Sequence, residues 1–247
     1  MCILILLRGL HRDHPIVVGS NRDERTDRKA APPGLWEGQH HRMLSPRDRL
    51  AGGTWLAIDD RGWFAGLTNV AGVAPVSTAP SRGLLPHLAL DEPNLDAAVA
   101  VVRQRTDEQL HAGFQLVLCD GVRTVVVRHR ERVLQVIEWR EPVLVVTNEH
   151  APGELDLRGL PGALAPVPDV LRRLDLLAPL LRDPGDADHH AVCKHGEGYG
   201  TVSSSLLAVP RGPQVPLYWR YAAGSPAVTA YREYGNLARR LLPEAGD

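Results

Sequence analysis

Lysine is almost missing from this chain of 247 residues, which has only Lys29 and Lys194. Arginine carries the remaining positive charge, and 28 basic against 29 acidic residues leave a formal net charge of −1. Without a basic excess the chain presents no field to a polyanion, so nucleic acid and anionic membrane surfaces are not expected partners. No apolar run approaches the ~18 residues that read as a membrane span. The opening apolar stretch is short, has no basic leader and soon reaches His11, Arg12 and Asp13, so it does not read as a signal peptide. Cysteine is also scarce. Cys2, Cys119 and Cys193 form an odd, scattered set with no C-x-x-C, which points to free thiols in a reducing cytoplasm rather than a disulfide frame. No Lys-Ser/Thr follows Gly52-Gly53, which excludes a phosphate-binding P-loop. His40-His41 and His189-His190 lack partners at metal-binding spacing, and adjacent strand residues face opposite ways, so no metal is expected. Repeats and divisive linkers are absent, so residues 1–247 read as a single domain.

What is present is globular: 44% hydrophobic and 23% charged residues. Ile3–Leu7 and Pro15–Gly19 read as two strands of a hairpin joined through His11–His14. A charged stretch over 21–29 and a Pro/Gly-bearing loop over 30–38 follow. Strands are expected over 55–58 and 63–69, with a turn at Asp59–Gly62. Residues 71–80 read as a loop. Asn94 can cap a helix to Gln109. Strands are predicted over 114–119, 122–129, 132–139 and 142–147, then a helix over 167–181 that Pro179 ends or kinks. A short helix over 187–193, strands over 200–209 and 213–221, and a helix over 236–242 complete the order. Recurrent hairpins without strict β-α-β alternation predict an α+β layered fold with antiparallel sheets. Tyr218, Trp219, Tyr221, Tyr231 and Tyr234 read as sheet cover or a homodimer surface.

Cys2 is the most informative residue. If Met1 is removed, a thiol and an α-amine share one residue. Their ordinary pKa values, about 8.5 and 7.7–8.0, make proton exchange between them nearly isoenergetic. The plain alternative is a small apolar strand residue. Ser20-Asn21-Arg22-Asp23-Glu24 follows the second apolar run, where side chains would lie near Cys2. Asp23 could accept a hydrogen bond from the α-amine, and Arg22 could bind a carboxylate or stabilise a thiolate. The rest of that run (Arg25, Asp27, Arg28, Lys29) reads as a solvated loop. Asn69 and Asn148 each end a strand after a Thr, and an Asn amide is a good oxyanion donor. Cys193 and His195 form a C-x-H pair too weak to mark a site.

These residues carry a resemblance. Met1-Cys2 opening an apolar strand, Asn21-Arg22-Asp23-Glu24, Ala51-Gly52-Gly53-Thr54-Trp55-Leu56, Leu67-Thr68-Asn69 and Tyr199-Gly200-Thr201 followed by Ser203-Ser204 are similar to the transport and Golgi organisation 2, or NRDE, family. That family resembles the N-terminal-nucleophile (Ntn) hydrolases of the choloylglycine hydrolase and penicillin acylase branch. The resemblance implies a four-layer αββα sandwich with Cys2 at the end of a central strand. It implies catalytic roles for Cys2, Asp23, Asn69 and Asn148, and substrate contacts for Arg22, Trp55, Thr68, Tyr199 and Thr201. The implied activity is amide or thioester hydrolysis, or acyl transfer, through an acyl-Cys2 intermediate and without a cofactor. The alternative it carries is a non-catalytic cytoplasmic protein that binds or traffics haem or acyl-CoA. Two departures bear on that choice. Ser20 replaces an Arg usual in the hydrolases, and Val202 replaces an Arg usual in the NRDE family.

Overall fold

The computed structural model describes residues 2–72, 79–155, 157, 167–186 and 191–242. Met1, His189 and His190 lie outside them, as do most of the expected 71–80 loop and residues 187–190 of the expected short helix.

Among the described residues, thirteen strands form two antiparallel sheets. The first sheet has β1 (Ile3–Arg8), β2 (Ile16–Arg25), β10 (Val143–Thr147), β11 (Tyr199–Val209), β12 (Tyr218–Ala222) and β13 (Arg232–Glu233), in the order β10-β1-β2-β11-β12-β13. The second has β3 (Ala30–Glu37), β4 (Arg42–Asp48), β5 (Leu56–Asp59), β6 (Phe64–Asn69), β7 (Phe114–Cys119), β8 (Thr124–Arg130) and β9 (Val133–Trp139), in sequence order. Helices α1 (Leu85–Leu90) and α2 (Leu95–Glu108) cover the second sheet, and α3 (Val170–Arg182) covers the first. A short α4 (Ala238–Leu241) follows.

Alternation along β1 explains the layering. Leu4 and Leu6 point between the sheets, where they meet Leu56, Phe64 and Val117. Ile3, Ile5 and Leu7 point outward against Leu174, Leu177 and Leu181 of α3. A strand buried on both faces must be apolar throughout, which is why β1 reads as a continuous run. On the other side Ala98 and Val102 of α2 pack on Leu116, Leu118 and Val125. The architecture is the αββα sandwich. Among the described residues no helix is long and apolar enough to cross a membrane, and no cluster of residues could hold a metal ion.

Several expectations need correction. The stretch over 30–38 is strand β3, not a loop. Its Pro32 and Pro33 coincide with a register irregularity between Ala31 and Gly34, and an edge strand tolerates prolines because one side needs no donors. Strand β2 continues through the charged residues to Arg25 instead of ending at Gly19. Pro179 neither ends nor breaks α3, which runs on to Arg182. Pro179 sits in its last turns, where few backbone bonds remain to be lost. The described residues 191–193 are not helical. Strands β4 and helix α1 have no counterpart in the sequence reading. Trp219 and Tyr221 are buried within the chain against α4, so they are sheet cover and not a dimer surface.

Candidate active site

The pairing of β1 with β2 places Ile3 opposite Asn21 and brings Cys2 to the end of β2. There the Asp23 N–H donates to the Cys2 Sγ at 3.2 Å, and the thiol donates to the Asp23 carbonyl at 3.3 Å. Burial first, and the Asp23 carboxylate second, push the Cys2 thiol from about 9 up to about 11. At neutral pH the thiol therefore keeps its proton unless a base takes it.

The Asn-Arg-Asp-Glu segment divides its work by strand alternation. Asn21 turns toward the helix layer and donates to the carbonyls of Leu181 (2.8 Å) and Val192 (3.0 Å). Arg22 turns toward the second sheet. Its Nη2 donates to Asp48 Oδ2 at 3.0 Å, and its guanidinium lies 4.6 Å from the Trp55 ring. Asp23 accepts at Oδ1 from Thr201 Oγ1 at 2.6 Å, a short charge-assisted bond. Glu24 Oε2 pairs with Arg28 Nη1 at 3.2 Å. Arg28 also donates to Asp48 Oδ2 at 2.8 Å, so it is tied into the site rather than solvated as expected.

Asp48 is the unpredicted hub. Its Oδ1 accepts from the N–H groups of Leu50 and Ala51, while its Oδ2 accepts from Arg22 and Arg28. The Leu50 and Ala51 bonds form an Asx turn leading into Gly52 and Gly53. A Cβ on Gly53 would collide with the backbone of Gly83, and Thr54 N–H donates to the Gly83 carbonyl at 2.8 Å. The Ala-Gly-Gly-Thr-Trp segment is therefore a close backbone approach to residues 81–83. It positions Trp55 under Arg22.

A cleft of about 80 Å³ opens in front of Cys2. Arg22, Asp23, Trp55 and Asn69 line it, as predicted site residues, with Arg82 and Gly83 from the facing segment. Thr68, Tyr199, Thr201 and Asn148 do not line it. Tyr199 donates its hydroxyl to the Asp23 carbonyl at 3.3 Å, and Thr201 holds the Asp23 carboxylate, so both touch the site through Asp23. Thr68 is buried on the opposite face of β6. The Asn148 N–H donates to the Cys2 carbonyl at 3.3 Å, and its Oδ1 is buried with no partner among the described residues. Of the two departures, Ser20 donates to the Ile3 carbonyl at 2.9 Å, and Val202 sits where the β2–β11 register shifts between Thr201 and Ser203. Arg28, Asp48, Ser81, Arg82 and Gly83 also line the cleft and were missed in the sequence reading. The turn chemistry of Asp48-Arg49-Leu50-Ala51-Gly52-Gly53 was the available signal for one of them.

A second cavity, of about 550 Å³, shares Ser81 with this cleft. Trp36, Met43, Leu84, Leu88, His87 and His111 are among its walls. His87 meets Ser45 Oγ at 2.8 Å, and burial pulls its pKa from about 6.5 down to about 4.

Residues 1–158 match the family model described as Transport and Golgi organisation 2. The Transport and Golgi organization 2 homolog of Mus musculus is 30% identical over 109 residues, 42% of this chain and 38% of that protein. The Transport and Golgi organization protein 2 homolog of Bos taurus is 32% identical over 108 residues, with the same coverage. The match thus spans well under half the length of these relatives. Among solved structures, a penicillin V acylase from Agrobacterium tumefaciens superposes with a TM-score of 0.63 at 14% identity, covering 99% of this chain and 89% of that one. At that identity the likeness concerns the fold.

Proposed function

Because this chain belongs to the Transport and Golgi organisation 2 family and has a fold shared with Ntn amidohydrolases, we propose that it is a cysteine Ntn-type amidohydrolase or acyltransferase using Cys2. The observation that carries this reading is the placement of the thiol. Cys2 immediately precedes the interior strand β1, its Sγ is fixed by the Asp23 backbone, and it lines a cleft with Asn69 and Arg22.

In the proposed reaction, removal of Met1 exposes the Cys2 α-amine, which Asp23 and Asn148 Oδ1, buried with no partner among the described residues, would accept from and orient. The amine takes the thiol proton as Sγ attacks the acyl carbon of an amide or thioester. An S–C bond forms, the acyl C–N or C–S bond breaks, and the proton passes to the departing nitrogen or sulfur. Asn69 donates to the oxyanion, a contribution typically of 10²–10³ in rate. Water or an amine then takes the acyl group from Cys2. The need for a base is consistent with the raised thiol pKa. A cytoplasmic setting, where all three cysteines stay free, fits the same chemistry.

A second reading, a carrier of haem or an acyl-CoA-type ligand, is favoured by the 550 Å³ cavity, which has the size of small-molecule sites. One experiment separates the two. Cys2→Ala should abolish turnover of an acyl thioester by the purified protein while leaving its fold intact. Turnover that survives Cys2→Ala rejects the nucleophile, and haem or acyl-CoA binding unaffected by that change would favour the carrier.

A further inference from the structure

We propose that the cleft at Cys2 selects a compact anionic acyl group, one whose carboxylate lies two or three carbons from the attacked carbonyl, through Arg82 and the free Nη1 of Arg22. This rests on the nucleophile reading above and specifies its substrate class.

Three guanidinium groups, Arg22, Arg28 and Arg82, and three carboxylates, Asp23, Glu24 and Asp48, line the cleft. The carboxylates are engaged. Both oxygens of Asp48 accept two bonds each. Glu24 accepts from the Arg25 N–H and pairs with Arg28 and, at 3.7 Å, with Arg22 Nη2. Asp23 holds Thr201. The arginines are not fully engaged. Arg22 is 6% exposed, yet its Nη1 is buried with no partner among the described residues. Such an orphan donor on a charged group is costly unless a ligand meets it. Arg82 donates from Nη1 to the Gly113 carbonyl at 2.7 Å and has no carboxylate partner among the described residues. Burial, with Arg28 adding to it and Glu24 opposing, holds the Arg82 pKa below its ordinary value, and the charge of an arriving anion would offset that.

Size sets the rest. At about 80 Å³ the cleft is far below the roughly 300–1,000 Å³ of drug-sized sites, so it takes a short chain. The group that stays bonded to Sγ is the acyl group, so donors sharing the cleft with Sγ read that group rather than the departing one. Two planar guanidinium forks suit a carboxylate.

The test uses alkylation, which needs no turnover. Iodoacetate and iodoacetamide each form an S–C bond and expel iodide, the thiol proton going to buffer, and they differ by the charge adjoining the attacked carbon. Their rate ratio at Cys2, read by peptide mass spectrometry, should exceed the ratio for free cysteine in the same buffer at least tenfold. Arg82→Gln should return it to within about twofold of free cysteine, and Arg82→Lys should fall between. Independently, 20 mM succinamate should raise the Tm of the Cys2→Ala protein and butanamide should not. A ratio equal to that of free cysteine, together with an unmoved Tm, overturns the anion subsite. The nucleophile reading would then stand or fall on thioester turnover alone. Conversely, a high ratio without turnover keeps the subsite and rejects the enzyme. If S-acetylthioglycolate acylates Cys2 faster than a monosuccinyl thioester, the carboxylate belongs to the leaving group and the acyl-side assignment is wrong.

Discussion

Cys2 and Asp23 hold each other twice: the Asp23 N–H donates to Sγ at 3.2 Å, and Sγ–H donates to the Asp23 carbonyl at 3.3 Å. The pairing follows from β1–β2 register and fixes the thiol before any substrate arrives.

The same environment keeps the Cys2 thiol protonated. In the Met1-bearing chain, iodoacetamide alkylation of Cys2 should keep rising with pH toward about 11, past the value near 8.5 of a free thiol. A pH–rate profile by peptide mass spectrometry checks this. A plateau near pH 8.5 would show that burial does not govern the thiol. Removal of Met1 should bring the onset to lower pH, since the amine then adjoins the sulfur.

Thr201 holds Asp23 through a 2.6 Å bond to a buried carboxylate. Thr201→Val should destabilise the protein by about 1.5–3 kcal/mol, the range for hydrogen bonds to charged groups. Thr201→Ser should recover most of it. Urea unfolding measures both.

Asp48 gathers two guanidinium groups and two backbone donors. Asp48→Ala takes from the 6%-exposed Arg22 its 3.0 Å carboxylate partner and leaves it only Glu24 at 3.7 Å, and breaking such a buried pair costs about 3–5 kcal/mol. A loss below 1 kcal/mol in the same unfolding assay would show that the network does not organise the cleft.

Gly53→Ala should cost at least about 1–3 kcal/mol, because its Cβ meets the Gly83 backbone and no flexible side chain can yield. The companion substitution Gly52→Ala meets no atoms but carries a positive φ of 77°, so its smaller loss reflects backbone strain alone.

His87 gives a pH dependence with a definite sign. Its folded pKa, about 4, lies below the unfolded value near 6.5. Above pH 6.5 both states are neutral and the residue adds no slope. As pH falls from 6.5 toward 4 the unfolded chain gains a proton that the folded one refuses, so stability declines across that window. His87→Gln should flatten that part of the Tm–pH curve.

The apolar elements were legible because burial on both faces leaves a simple mark: Ile3–Leu7, Phe114–Cys119 and Val143–Thr147 are runs with no other reading. Asn94 announced α2, and its side chain does accept from the Ala97 N–H at 2.8 Å. The failures share one cause, that distant partners decide local structure. Charged residues at the end of β2 look like loop until Asp48 and Thr201 are brought to them. Pro32 and Pro33 look like a loop until β3 is known to be an edge. Of the residues lining the cleft, Cys2, Asp23 and Asn69 were legible from the polar residues that follow apolar runs. Arg82 was not, since it reaches the cleft of Cys2 across 80 residues of sequence, with Gly53 against Gly83 closing the gap.

The most direct test of the account is the intact mass of the purified protein before and after exposure to a reactive acyl thioester, with the acylated residue mapped. The account predicts that molecules lacking Met1 gain one acyl group, on Cys2. Acyl groups on Cys193 with Cys2 untouched, or equal acylation of molecules that retain Met1, would contradict it.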